Sequence, residues 1–140
     1  MELEGKKVII LVEDMFNVFE FWYPYYRLKE AAAQVTVVGS GRTDEFTGKP
    51  ATQIRPDISA DAVSSGDYDG VIIPGGYAPD MMRRFPAMVR IVKELFDAGK
   101  VVAAIYLPML SQYFSSCDVN DRTGTSFQFN SPGSLRHCKR

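Results

Sequence analysis

The sequence has few of the residues on which disulfide frameworks and metal sites depend. Among its 140 residues are two cysteines, Cys117 and Cys138, and a single histidine, His137. So few cysteines predict free thiols in a reducing compartment rather than a disulfide framework. The spacing of these three residues matches no common set of metal ligands. We therefore expect neither a metal nor another cofactor.

The chain also lacks a strong charge of either sign and a long hydrophobic run. Its 16 lysines and arginines nearly balance 17 aspartates and glutamates, and the net charge is -1. A near-neutral chain argues against binding to nucleic acid or to an anionic membrane surface. The apolar run at residues 8–12 is too short for a signal-peptide core or a membrane span. These features predict no nucleic-acid partner, no membrane association and a cytoplasmic location.

The first forty residues do contain the pattern of a strand, a helix and a second strand. Residues 6–12 form a continuous β-branched and aliphatic run, which is typical of a strand buried on both faces of a parallel sheet. Apolar residues then recur at helical spacing within residues 20–33, where Pro24 is acceptable only in the first turn. Residues 34–39 return to the strand pattern.

The same alternation continues further along the chain. Residues 70–74 and 101–105 are predicted core strands, and a helix at about residues 86–98 lies between them. Pro86 suits the first helical position, and Gly99 suits the position just past the end. Alternating strands and helices predict an α/β fold with a doubly wound, mostly parallel sheet and right-handed crossovers.

The remaining segments give weaker signals. Residues 40–65 are mostly polar and are interrupted by glycines and prolines, and short edge strands are expected around residues 52–54. After residue 105 the periodicity fades, and the end of the chain is rich in small polar residues. We expect a single domain over residues 1–127, shortened at its C-terminal end, and an irregular tail over residues 128–140.

Candidate site residues follow the predicted strands, because ligands of parallel α/β sheets bind outside the carboxyl ends of the strands. Pro74-Gly75-Gly76 follows the third core strand. A backbone without side chains can approach a ligand closely and present N–H donors to an oxyanion, although an ordinary turn explains the same residues. The other candidates at this edge are Glu13, Asp14, the segment Gly39-Ser40-Gly41-Arg42, and Tyr106.

Each of the other candidates has an alternative without function. Glu13 and Asp14 could serve acid–base chemistry or simply be solvated on a loop. The glycine pair around Ser40 lacks the third glycine of a phosphate loop, which argues against a nucleotide. Four aromatic residues on one helix are more than its inward face can bury and predict a subunit interface. They are Trp22, Tyr23, Tyr25 and Tyr26.

Three motifs occur in order along the chain. They are Tyr23-Pro24-Tyr25 with Arg27-Leu28-Lys29-Glu30, Pro74-Gly75-Gly76 with Ala78-Pro79, and Ala104-Ile105 at the end of a strand. Over residues 5–105 the chain thereby resembles the ThiJ/PfpI family of flavodoxin-like domains, which are related to class I glutamine amidotransferases. The resemblance implies a three-layer sandwich, a homo-oligomer, and an activity of the intracellular cysteine protease or glyoxalase and deglycase group. The substrate would then be a small carbonyl compound or a peptide.

The resemblance also assigns site residues, and the chain departs from the family at several of them. The nucleophilic cysteine position is Tyr106, the glutamate position is Asn17, and the family's histidine position is Leu107. The oxyanion glycine is retained as Gly76, next to Gly75. A phenol with an ordinary pKa of about 10 cannot replace a thiolate at neutral pH. Asparagine cannot supply the proton or charge of a carboxyl group.

We therefore expect a domain of this family whose catalysis is impaired. An alternative from another class is a non-catalytic ligand-binding or oligomeric scaffold. A third hypothesis makes Cys117 a displaced nucleophile, although no activating base is evident beside it. The break after residue 105 has two explanations, namely true divergence or a disruption of the reading frame near the codon for Tyr106.

Overall fold

A central sheet of five parallel strands organises the computed structural model, which describes residues 2–105. The strands lie in the spatial order β5-β2-β1-β6-β7, and a separate antiparallel hairpin pairs β3 with β4. In chain order the elements are β1 (Lys7–Val12), α1 (Val18–Glu30), β2 (Gln34–Gly39), β3 (Phe46–Gly48), β4 (Thr52–Ile54), β5 (Ile58–Ser59), β6 (Gly70–Ile73), α2 (Ala78–Met82), α3 (Pro86–Asp97) and β7 (Val101–Ala104).

Strand β1 forms the centre of the core, as its apolar run predicts. Ile9, Ile10, Leu11 and Val12 are at most 1% exposed. The strand pairs with β2 on one side and with β6 on the other. The chain passes from β1 to β2 in one direction and from β6 to β7 in the opposite direction. Right-handed crossovers therefore place α1 and α3 on opposite faces of the sheet. The predicted doubly wound α/β sandwich is confirmed.

Helix α1 begins earlier than the sequence pattern predicts. Asn17 is its N-cap, and the Asn17 side-chain oxygen accepts hydrogen bonds from the backbone N–H groups of Phe19 (3.0 Å) and Glu20 (3.4 Å). Pro24 consequently lies inside the helix, and the prediction that it occupies the first turn is wrong. Because proline has no backbone N–H, the carbonyl of Glu20 lacks its usual partner four residues on.

Helix α3 has the boundaries and buried face that its sequence predicts. Pro86 is its first residue, and Gly99 follows the helix with a φ of +68°. Glycine adopts this left-handed conformation without the steric penalty that other residues pay. The buried face consists of Met88, Ile91, Val92 and Leu95.

Three short elements differ from the predictions. The strand expected around residues 52–54 is β4, which belongs to the hairpin and not to an edge of the main sheet. Strand β5 and helix α2 are not evident in the sequence, because two and five residues are too few to show a period. The boundary at residue 127, the tail, Tyr106, Cys117 and His137 lie outside the described residues, so those predictions stand as predictions.

Candidate functional site

The candidate site lies where two loops meet at the carboxyl ends of β1 and β6. These strands are neighbours in the sheet, and the chain leaves them in opposite directions, so this is the topological switch point where such sheets bind ligands. The Asn17 N–H donates to the Gly75 carbonyl (3.1 Å), and the Tyr77 N–H donates to the Met15 carbonyl (3.1 Å). Phe16 and Gly76 therefore lie directly opposite each other as an antiparallel pair.

Gly76 occupies a position that only glycine fits. Its φ is +87°, and a Cβ there would lie 2.6 Å from the Met15 carbonyl oxygen and 2.9 Å from the Asn17 nitrogen. Gly76 is exposed, whereas Gly75 is buried. Neither of the two hydrogen bonds that flank the Phe16–Gly76 pair uses the Gly76 N–H. The geometry is suited to a donor that polarises a ligand oxygen, which is the role predicted for this glycine.

Glu20 places a carboxylate against the same turn. Its Oε2 accepts a hydrogen bond from the Gly75 N–H at 2.6 Å, across 55 residues of sequence. The residue lies in the first turn of α1 and is half-buried. Sequence analysis missed it, although Asn17-Val18-Phe19-Glu20 has the spacing of a capping box before an apolar run. In this chain the carboxylate of that motif bonds to the glycine turn.

Asn17, the residue at the predicted glutamate position, lies at the same carboxyl-terminal edge of the sheet, where it caps helix α1. Its side-chain oxygen faces the N-terminus of α1 and accepts the two capping hydrogen bonds. Its backbone N–H holds the carbonyl of Gly75. The structure therefore brings Asn17, Gly75 and Gly76 together, and their roles in catalysis stay predictions. The contacts of the Asn17 side chain are those of a helix cap.

Glu13 is fully buried and paired, which rules out the solvated alternative for this residue. Its Oε1 accepts hydrogen bonds from Arg42 Nη2 (2.9 Å) and from the Asp14 N–H (3.0 Å). Its Oε2 is buried without a hydrogen-bond partner among the described residues. Arg42 also pairs with the Asp14 carboxylate. Hydrogen bonds to Glu13 and Asp14 raise the pKa of the Arg42 guanidinium above its ordinary value.

The β3–β4 hairpin holds the loop between β1 and α1 from the other side. The Thr47 N–H donates to Asp14 Oδ1 (2.9 Å), and the Met15 N–H donates to the Thr47 carbonyl (2.7 Å). A Cβ on Gly48 would lie 2.6 Å from the Phe16 ring, so the hairpin can approach this closely only with glycine there. The loop that carries the site is thus fixed at several successive residues.

The described chain ends beside the glycine turn. The Ile105 N–H donates to the carbonyl of Ile73, the residue before Pro74, at 3.1 Å. Tyr106 and Leu107, which the sequence places at the nucleophile and histidine positions, lie outside the described residues. Their roles stand as predictions.

Neither a metal centre nor a membrane span is found within residues 2–105. That part of the chain contains no group of three or more histidine, cysteine, aspartate or glutamate side chains that could hold a metal ion. None of its helices is long and apolar enough to cross a membrane. The cytoplasmic location, the absence of a cofactor and the absence of a nucleic-acid partner remain predictions.

Comparison with known proteins identifies the family. The model of the DJ-1/PfpI family matches residues 6–126, and the chain belongs to this family. A deglycase of Pyrococcus abyssi is 35% identical over 122 residues, which cover 86% of this chain and 72% of that protein. General stress protein 18 of Bacillus subtilis is 33% identical over 102 residues, covering 72% of this chain and 59% of that protein. The family match extends at its C-terminal end beyond residues 5–105, the part of the chain in which the sequence motifs lie.

Solved structures of the family share this fold. Oxidized DJ-1 of Toxoplasma gondii has a TM-score of 0.72 at 25% identity, covering 78% of this chain and 61% of that one. A two-domain protein of Anabaena variabilis, with DJ-1/ThiJ/PfpI-like and ferritin-like domains, has a TM-score of 0.69 at 40% identity. That match covers 71% of this chain and 29% of the Anabaena chain. The chain spans 58% of an Archaeoglobus fulgidus relative and 59% of a Thermococcus kodakarensis deglycase.

Proposed function

We propose that this chain is a DJ-1/PfpI domain of the deglycase and cysteine protease group that binds a small carbonyl compound or peptide but is catalytically impaired. One observation carries the proposal. The Glu20 carboxylate lies 2.6 Å from the Gly75 nitrogen, directly beside the exposed, left-handed Gly76. A carboxylate and a backbone N–H donor at a strand-end turn are parts of a site that can bind a carbonyl group. The similarity to the Pyrococcus abyssi deglycase supports this class of ligand.

We further propose that Glu20, rather than Asn17, is the carboxylate of this site. The Asn17 side chain has its oxygen engaged at the helix N-terminus, while the Glu20 carboxylate reaches the glycine turn. The glutamate function is then present, and the impairment rests on Tyr106 with Leu107. A bound carbonyl carbon would meet no thiolate at neutral pH, because a phenol with an ordinary pKa of about 10 stays protonated. The ligand would be released unchanged.

The decisive experiment compares binding and turnover of methylglyoxal by the chain and by two variants at one position. The chain itself should bind the ligand saturably with turnover at background. Tyr106→Cys should raise turnover at least about a hundredfold, because it supplies the missing nucleophile. Tyr106→Phe is the matched control and should stay at background. Turnover by the unaltered chain that survives in Tyr106→Phe would contradict the impairment.

A second variant separates the two candidate glutamate positions. In the Tyr106→Cys background, Glu20→Gln keeps the size and removes the carboxylate, and should return turnover toward background. Asn17→Asp leaves a side chain that can still cap the helix and should change turnover little. If Glu20→Gln leaves turnover unchanged and Asn17→Asp raises it, the carboxylate position is that of Asn17, as the sequence resemblance implies.

The exposed aromatic residues of α1 favour an additional role as an oligomeric scaffold. Phe19, Tyr23 and Tyr26 are 73%, 72% and 62% exposed, and spacings of four and three place them on one stripe. We propose that a second copy of this chain covers the stripe. Sedimentation analysis should show that Tyr23→Ser with Tyr26→Ser lowers the oligomer size. Tyr77→Ser, which alters an equally exposed tyrosine elsewhere, should leave the size unchanged. A monomeric unaltered chain would contradict the proposal.

A further inference from the structure

We infer that Met15 and Tyr77 form an apolar rim beside Gly76 that selects uncharged carbonyl compounds bearing an apolar substituent. The inference rests on the proposed function, since it concerns the ligand held at the Gly76 N–H. It adds a ligand class and two residues that discriminate among ligands. Both residues belong to the loops of the site, and neither takes part in the carboxylate and oxyanion arrangement itself.

The backbone places the two residues next to each other at Gly76. Tyr77 follows Gly76 in the chain, and the Tyr77 N–H donates to the Met15 carbonyl at 3.1 Å. That carbonyl oxygen is also the atom closest to a Cβ built on Gly76. Phe16, which pairs with Gly76, is fully buried. Met15 and Tyr77 are instead 40% and 66% exposed.

The backbone of Met15 has a conformation that methionine adopts only at a steric cost. Its φ is +63°, in the left-handed region that favours glycine or asparagine. Its N–H is held by Thr47 of β3 and its carbonyl by Tyr77, so the surrounding fold fixes this conformation. A glycine would satisfy the same hydrogen bonds without the steric penalty. A large thioether at this position, on the rim of the site, indicates that the side chain itself is used.

The charges around the rim disfavour an anionic ligand. The Glu20 carboxylate lies at the glycine turn, within one residue of Gly76. The nearby guanidinium of Arg42 is engaged by the carboxylates of Glu13 and Asp14. A ligand carboxylate placed beside the carbonyl group would therefore meet the like charge of Glu20.

The side chains of the rim suit an aromatic or bulky apolar substituent. A tyrosine ring offers a face for stacking, and a methionine sulfur makes favourable contacts with ring edges. The expected ligand class is thus an uncharged ketone or aldehyde with an apolar group next to its carbonyl carbon. Simple dicarbonyls with only a methyl group would gain little from the rim.

The test uses three ketones that do not react with the protein, each titrated while backbone amide shifts are recorded by NMR. Acetophenone carries the ring, acetone lacks it, and benzoylformate keeps the ring but adds a carboxylate. In the unaltered chain all bound ketones should shift the Gly76 amide. Acetophenone should bind at least about tenfold more tightly than either of the others, which is within the range that apolar contacts supply.

Variants of the rim complete the test. Met15→Gly with Tyr77→Ser should weaken the binding of acetophenone about tenfold and change the binding of acetone by no more than about twofold. Tyr23→Ser removes an exposed tyrosine from α1 and should change neither value. Tyr77→Lys should improve benzoylformate binding, since it places a cation on the rim. The amide spectrum of each variant reports whether it is folded.

The outcomes distinguish the inference from the function on which it rests. If acetophenone and acetone shift the Gly76 amide but bind equally, or if the rim variants leave acetophenone unchanged, the rim inference is overturned and the carbonyl site remains. If no ketone shifts the Gly76 amide, the proposed function fails, and the rim inference fails with it.

Discussion

Two carboxylates follow β1, one in the loop directly after the strand and one in the first turn of α1, and their surroundings differ. On the side of β2, Glu13 is completely buried and paired with Arg42. On the side of β6, Glu20 is half-buried, and its carboxylate accepts a hydrogen bond from a backbone N–H of the glycine turn. The first carboxylate is neutralised by a cation and holds loops together. The second lies beside Gly76, which is exposed, at the site proposed for the ligand. The segment from Glu13 to Glu20 thus combines a structural ion pair with the proposed binding site.

The largest expected effect comes from Gly76→Ala on the β6 side. The added Cβ would lie 2.6 Å from a backbone oxygen, and the residue would keep a left-handed φ. We expect the free energy of unfolding to fall by about 2–4 kcal/mol, because overpacking and backbone strain add. Gly66→Ala is the matched control, since its Cβ would meet nothing within 4 Å. Equal free energies of unfolding for the two variants in denaturant titrations would refute the tight fit of the glycine turn.

Arg42→Met on the β2 side should have the next largest effect. It leaves the buried carboxylate of Glu13 without its cation, and we expect a loss of about 2–3 kcal/mol after allowing for the partly exposed guanidinium. Adding Glu13→Gln to this variant should recover part of the loss. Arg55→Met breaks an exposed pair with Glu45 and should cost at most about 1 kcal/mol. A double variant no more stable than Arg42→Met would contradict the pairing.

Asn17→Ala tests the residue that caps α1 and whose backbone N–H bonds to the glycine turn. Its side chain caps α1, and its loss should lower the free energy of unfolding by about 1 kcal/mol. The cap also fixes the turn that carries Glu20, so ligand affinity should fall as well. Asn17→Asp can still accept both hydrogen bonds and should retain stability. Affinity that falls equally in Asn17→Asp would assign the side-chain amide a direct role in binding.

The smallest effect concerns the opposite edge of the sheet and appears as a dependence on pH. The Lys7 N–H donates to Asp69 at 2.9 Å and, as the main cause, lowers the pKa of that carboxyl. A lowered pKa in the folded state gives stability that is present above the ordinary value of about 3.9 and is lost as pH falls through the folded-state value. Asp69→Asn should therefore flatten the stability curve below about pH 4. If the free energy of unfolding of Asp69→Asn falls with decreasing pH as steeply as that of the unaltered chain, this assignment is contradicted.

The parts of the fold that the sequence predicts are those with local signals. β1 has an uninterrupted apolar run, and α3 carries its own start and stop residues, Pro86 and Gly99. β5 and α2 are defined by their contacts within the sheet and loops, and their sequences are too short to show a period. The prediction misplaces Pro24 because the start of the helix depends on the cap at Asn17 and on the contact of Glu20 with Gly75, and apolar periodicity shows neither.

The site was predictable only in its glycines. Pro74-Gly75-Gly76 marks its own turn, but the partners of that turn come from distant segments. Glu20 reaches Gly75 across 55 residues, and Glu13 is buried because Arg42, 29 residues away, supplies a cation. A carboxylate that looks solvated in the sequence can be buried by such a partner. Counting positions from a motif gives Asn17, whereas our proposal of Glu20 rests on its contact with Gly75.

The hydrogen bond from Ile105 to Ile73 bears on how such a domain evolves. It anchors the end of the last described strand with residues that precede position 106. On the proposed function, an exchange of the side chain at position 106 would leave this anchor intact, so the chemistry could change while the strands are kept. A domain built in this way could lose catalysis in the course of evolution and still keep recognition.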